Sequence, residues 1–194
     1  MTYISRRRMM RLSTLALAGL STAGLAACDN RRTNSGVDRI DARVDQTLAQ
    51  MFDQYPKTRA IAANSVGMLV MPLITEAGFG FGGGFGRGAL RIGGVSVEYY
   101  TATKANFGLQ IGANQYAHVL FFMTEDALRD FRESDGWAAG ADVDASFLGG
   151  GETLSTDTST AMSPVVGIIF GQAGVRLGAT IEGTKYSRMF EDSF

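Results

Sequence analysis

The chain has 194 residues, 45% of them hydrophobic and 19% charged, with 25 Gly, one His and one Cys, which is the material of one domain with a buried core. Its net charge of -1 is unevenly distributed: Arg6, Arg7, Arg8 and Arg11 stand in an acid-free leader, and beyond Cys28 the other 14 basic residues face 19 acidic ones, leaving -5. These counts exclude disorder throughout, a globally basic nucleic-acid binder, an intrachain disulfide and a cysteine-based zinc site.

Residues 1–11 are basic, residues 12–27 are apolar or small, and the run ends in Leu25-Ala26-Ala27-Cys28. This is the layout of a bacterial signal peptide, and its 16-residue apolar run is shorter than the ~20 residues of a spanning helix. The Leu-Ala-Ala-Cys ending resembles a lipobox, which implies diacylglycerol and an acyl chain on Cys28 as the mature N-terminus. An ordinary secretory peptide is the alternative. Each buried acyl CH₂ contributes about 0.8 kcal/mol, so two or three chains anchor stably where one does not. The expected organisation is a signal peptide over 1–27, a lipidated tether over 28–36 and a domain over 37–194. Ser5-Arg6-Arg7-Arg8-Met9-Met10-Arg11 also resembles a twin-arginine export signal, so export by the general secretory or the twin-arginine route stays open. Asp29 after the cysteine leaves inner or outer membrane undecided.

Within the domain, Val37, Ile40, Val44, Leu48, Met51, Phe52 and Tyr55 recur at spacings of three and four, with Asp38, Arg39, Asp41, Arg43 and Asp45 on the other face. The spacing predicts an amphipathic helix packed on a core, because its polar face mixes both signs whereas a membrane-surface helix is rich in Lys and Arg. Pro56 ends it, and a second short helix is expected over 57–63. From Ser65 the period becomes two. Residues 66–71 read as a buried strand ending at Pro72, and nine glycines then fall within 78–94. In Gly78-Phe79-Gly80-Phe81-Gly82 and Gly84-Phe85-Gly86-Arg87-Gly88 the glycines share one parity, giving a bulky face and a bare face that another backbone or a ligand can approach. Gly78-x-Gly80-x-x-Gly83 meets the dinucleotide fingerprint in form only, since no helix follows. Further strands are expected over 94–101, 106–113 and 117–123, and then a helix over 125–133 capped by Thr124 with Leu128 and Phe131 inward. Residues 137–148 alternate loosely, 149–163 read as a loop, 164–170 and 175–181 as a hairpin turning at 171–174, and 184–190 as a last strand. The fold class is α+β: an N-terminal amphipathic helix on a Gly-rich, mostly antiparallel, curved or barrel-like sheet.

Several ordered blocks resemble the SYLF family, also called the Ysc84 actin-binding family, in its bacterial lipoprotein branch. They are 66–72, 77–84 with Gly86 and Gly88, Tyr99-Tyr100, 107–113, Phe122-Met123-Thr124 through Phe131-Arg132 to Gly136-Trp137, Pro164-Val165-Val166-Gly167 and Glu182-Gly183-Thr184-Lys185. The resemblance runs from about residue 62 to 189. It implies binding to membrane lipids, notably phosphoinositides and phosphatidic acid, and in some eukaryotic members actin. For an envelope protein the implied ligand is phosphatidylglycerol, cardiolipin or phosphatidic acid.

No catalytic constellation emerges. His118, the one histidine, has no Gly-x-Ser-x-Gly elbow to serve and is expected at an edge or surface strand position. Asp142 and Asp144 are expected as solvated strand residues and Trp137 as a core anchor. For anionic lipid the candidate cations are Lys57, Arg59, Arg87, Arg91 and Lys104, with bare glycine backbone open to a head group or acyl chain and the Phe face packed inward. The expectation is therefore a non-catalytic, periplasm-facing lipoprotein that binds anionic phospholipid, with no metal, cofactor or nucleic acid. The alternative is a tethered module that binds another envelope protein.

Overall fold

The structure, a computed structural model, describes residues 32–140, 143–147, 163–174 and 181–190. Helices α1 (Arg32–Gln54) and α2 (Thr58–Asn64) precede strands β1 (Gly67–Ile92) and β2 (Val95–Phe122). Helix α3 (Glu125–Glu133) and strands β3 (Trp137–Ala138), β4 (Val143–Phe147), β5 (Val165–Gly174) and β6 (Thr184–Arg188) complete the described elements. One sheet runs β3-β6-β2-β5-β4, with β1 alongside β2, and every pairing is antiparallel except β4 with β5. This is the α+β architecture expected from the sequence.

The apolar stripe of α1 faces the sheet as its spacing requires: Ile40, Val44 and Met51 are buried, and Leu48, Phe52 and Tyr55 pack beside them. The helix begins at Arg32, inside the stretch expected to be tether. Pro56 stops it, and the Thr58 hydroxyl donates to the Tyr55 carbonyl at 2.7 Å as α2 starts.

The short strands expected between 66 and 123 are two long ones, of 26 and 28 residues, joined at Gly93 and Gly94. Both glycines have positive φ, +59° and +85°, as a two-residue hairpin turn of the right hand demands. Pro72 does not end β1, because it falls in a bulge: the register steps from Met71↔His118 to Ile74↔Tyr116, one extra residue on β1, where no ladder N–H is needed. Further register shifts between Phe79 and Phe81 and between Leu90 and Arg91 add bends. As a result β1 returns on itself. A Cβ on Gly86 would come within 2.6 Å of the Leu73 carbonyl oxygen, one on Gly84 within 2.9 Å of Glu76 Cγ and one on Gly82 within 2.9 Å of the Ala77 carbonyl oxygen. The bare face of β1 is thus filled by the first half of the same strand. The opposite parity is outward, with Phe85 49% exposed, which reverses the expected direction of its aromatic face.

Alternation along the strands divides the core in two. Leu69, Met71, Leu90, Tyr100, Leu120 and Phe122 form one cluster with Leu128 and Phe131 of α3. Val70, Ala89, Val119, Phe121, Ile168 and Phe170 form the other, under α1. Thr124 caps α3 as expected, its hydroxyl accepting from the Ala127 N–H at 3.2 Å, and Trp137 packs edge-on to Phe131 at 5.5 Å. Residues 171–174 continue β5, with Ala173 opposite Gln115 and Gly174 opposite Asn114, rather than turning a hairpin. Gly171, at φ +65°, absorbs the extra residue there. Residues 175–180 of the expected strand and most of the expected loop lie outside the described residues. Among the described residues, every buried apolar one lies within the compact unit Val37–Phe194, which therefore carries its own core.

Candidate functional site

The five candidate cations do not converge. Lys104 points inward, because its partner in the register is Gly84 on the bare face: its Nζ lies 3.3 Å from Glu76 Oε1, and the two side chains are 6% and 4% exposed. Arg91 is 11% exposed, ion-paired with Asp45 of α1, and donates to the Gly94 carbonyl at 2.8 Å. Both hold the fold together. Lys57 and Arg59 are exposed at the α1–α2 junction, where the Arg59 guanidinium lies 5.0 Å from the centre of the Phe52 ring. Arg87 is exposed on β1 with its guanidinium 5.8 Å from the centre of the Phe85 ring. No described contact joins the α2 cations to Arg87. Cys28 and Asp142 lie outside the described residues, as does the side chain of Asp144.

His118 is fully buried, not at an edge, because β2 is paired on both sides, with β1 and β5, and its inner face is closed by the curled sheet. It belongs to a polar cluster in which the Tyr186 hydroxyl meets His118 Nε2 at 2.8 Å and the Tyr116 hydroxyl donates to Glu76 Oε1 at 2.7 Å. Burial, with the Lys104 charge, pushes the His118 pKa down to about 3, so the imidazole is neutral at physiological pH. Asn114, opposite Glu76, is buried beside them. Sequence reasoning missed this cluster. The one available signal was parity, since residues 114, 116 and 118 alternate in step.

A second feature is a cleft of about 690 Å³ between α3 and β6, lined by Leu128, Arg129, Arg132, Ser187, Arg188 and Phe190 among others. Its arginines are occupied: Arg132 and Arg188 both reach Glu98 Oε1, at 3.0 and 3.5 Å, and Arg129 reaches Asp126 at 2.7 Å. Burial raises the Glu98 pKa, but hydrogen bonds from Arg132 and Tyr100 and the charges of Arg132 and Arg188 outweigh it and hold the carboxyl below its ordinary value.

The third is the outward face of the sheet beside α1. The register aligns Phe85, Thr103 and Lys185 in one row and Arg87, Thr101 and Ser187 in the next. Phe85, Arg87, Thr103 and Lys185 are exposed.

Residues 103–191 match the family model Ysc84, described as Las17-binding protein actin regulator. Residues 103–191, a little under half of the chain, thus carry the Ysc84-family match. No curated protein matches it. The Ysc84 match takes in Lys104, His118, Lys185 and Tyr186, and begins downstream of the glycine-rich β1 that supplies Glu76, Phe85 and Arg87. The buried cluster and the outward face each combine residues from inside and outside the Ysc84 match.

Proposed function

We propose that this Ysc84-domain protein is a non-catalytic, lipid-anchored component of the bacterial cell envelope whose domain faces the periplasm and binds anionic phospholipid. The observation that carries the reading is Arg87, an exposed cation stacked beside an exposed aromatic ring on a sheet face, since paired cationic and aromatic groups suit a charged interface. The SYLF resemblance, whose implied ligands are membrane lipids, points the same way, and Lys57 and Arg59 add exposed positive charge. The sealed, neutral His118 supports the non-catalytic part, because a general base must reach its substrate. Cys28 in its lipobox-like setting supports the anchor. Flotation of the unacylated chain from Asp29 onward with anionic and with neutral vesicles tests lipid binding: recovery with anionic vesicles alone is expected, and equal recovery with both would remove the reading. Mass analysis of the protein exported from a bacterial host tests the anchor, which predicts acylation that Cys28→Ser abolishes.

The second reading, a tethered module for an envelope protein, is favoured by the α3–β6 cleft, where Phe190 is 72% exposed at the rim. Crosslinking that traps one stoichiometric partner, with no lipid co-purifying, would favour it over the first.

A further inference from the structure

Resting on the lipid-binding reading above, we propose that the outward face of β1, β2 and β6 is the surface that meets the anionic bilayer, with Arg87 and Lys185 contacting phosphate and Phe85 entering the interface. The antiparallel register builds this face from three strands. Phe85 stands opposite Thr103, which stands opposite Lys185, and the row continues to Ala138 of β3. One step along, Arg87 stands opposite Thr101 and Thr101 opposite Ser187. The neighbouring pair, Gly83 with Ala105, is small and exposed, and Ala138 is exposed at the other margin. Phe85, Arg87 and Lys185 are therefore the long side chains on a platform of Thr, Ser, Ala and Gly.

The charge of this face is one-sided. None of these nine residues is a carboxylate, and neither Arg87 nor Lys185 has an ion-pair partner among the described residues. Parity produces that separation: Lys104, one residue from Thr103, turns inward to Glu76, and Glu98 faces inward to the hydroxyl of Tyr100 at 2.8 Å. The cations of the α3–β6 cleft, by contrast, are held by Glu98 and Asp126, and an incoming phosphate would have to displace a carboxylate. Lys185 is also seated. It lies over Gly136, where a Cβ would come within 3.0 Å of Nζ, so the glycine leaves the space that the lysine occupies. Arg87 and Lys185 stand on strands about 10 Å apart, with β2 between them, a separation their side chains can bridge toward one charged surface. Thr101 and Thr103 already donate to the Ser187 and Lys185 carbonyls, at 3.3 and 3.4 Å, which ties β2 to β6 under the face.

Each basic residue at an anionic surface contributes an affinity factor of about five, so removing both cations costs about 30-fold. The test uses the unacylated chain from Asp29 onward and vesicles of phosphatidylcholine alone or with phosphatidylglycerol. Arg87→Gln with Lys185→Gln is expected to lower affinity for the phosphatidylglycerol vesicles by about 30-fold. Arg39→Gln with Arg43→Gln, which removes the same charge from the solvent side of α1, should change it less than about threefold. Phe85→Ala should abolish the quenching of a fluorophore at position 103 by a lipid-borne quencher. Thermal melts of all variants should coincide, the substituted side chains being exposed. If the parent chain shows no preference for phosphatidylglycerol vesicles, the lipid-binding reading falls and this face with it. If the parent prefers them and the Arg87/Lys185 variant binds as tightly, the reading stands and the face is wrong. A loss in the Arg39/Arg43 variant equal to that in the Arg87/Lys185 variant would likewise overturn the face, because net charge alone would then explain binding.

Discussion

Single buried side chains set how the domain responds to pH. His118 has a folded-state pKa of about 3 against 6.5 for the free group, with desolvation the larger cause and the Lys104 charge the smaller. The unfolded chain therefore takes up a proton below about pH 6.5 that the folded chain refuses. This contribution to stability is complete above pH 6.5 and is lost as the pH falls toward 3, with a slope approaching about 1.4 kcal/mol per pH unit. Glu98 acts in the same direction at lower pH, its folded-state pKa being depressed below 4.5. Thermal unfolding measured from pH 7.5 to pH 5 should show a falling Tm, and His118→Gln should flatten that fall. An unchanged slope in the variant would place the titrating group elsewhere. The same side chain shows the limit of residue-level reading. Ala117, His118 and Val119 look like an exposed strand until β1 and β5 are seen to flank them, because burial of one residue is decided by its neighbours across the sheet rather than along the chain.

Among the elements, the helices were legible and the long strands were not. Period and capping residues are local, so the stripe of α1, the stop at Pro56 and the Thr124 cap of α3 could be read directly. Strand continuity is not local. Pro72 and the glycine run carry the marks of chain breakers, yet β1 passes through them, since a bulge accommodates the proline and the returning half of the strand occupies the glycine face. That close approach gives an element-scale prediction. Gly88→Ala would drive a Cβ into the Val70 carbonyl oxygen and Met71 Sδ, and the carbonyl belongs to a paired strand that cannot give way. A loss of about 1–3 kcal/mol is expected in denaturant unfolding. Gly93→Ala meets no atom within 4 Å and should cost only the strain of its left-handed φ, less than Gly88→Ala. Equal losses at the two positions would contradict a packed seam.

For the molecule as a whole, net charge and local charge oppose each other. The chain beyond Cys28 carries five more acidic than basic residues, so at long range an anionic membrane repels it, while Arg87 and Lys185 attract at short range. Binding by the proposed face should therefore depend on contact. Recovery with anionic vesicles should fall about tenfold or more between 0.05 and 0.5 M salt, as the Debye length drops from above 10 Å to about 4 Å. Recovery that persists unchanged at 0.5 M would mean that apolar insertion around Phe85 dominates. A lipid anchor at Cys28 would hold the domain within reach of the surface whatever its own affinity, so the domain's contribution is measured with the unacylated chain.

The sequence by itself determined the uneven charge on either side of Cys28, the two helices that border the sheet, the Gly/bulky parity of β1 and the family resemblance, all of which follow from order and spacing along the chain. Tertiary structure decided what those patterns meant. Arg87 and Lys104 were equivalent candidates in the sequence, yet register against Thr101 sends one outward and register against Gly84 sends the other to Glu76. Lys185, which no charge pattern in the sequence singles out, shares a sheet face with Arg87 because β6 lies beside β2. A strand's sequence says which residues share a face; which of its two faces meets water is fixed only by what packs against the other.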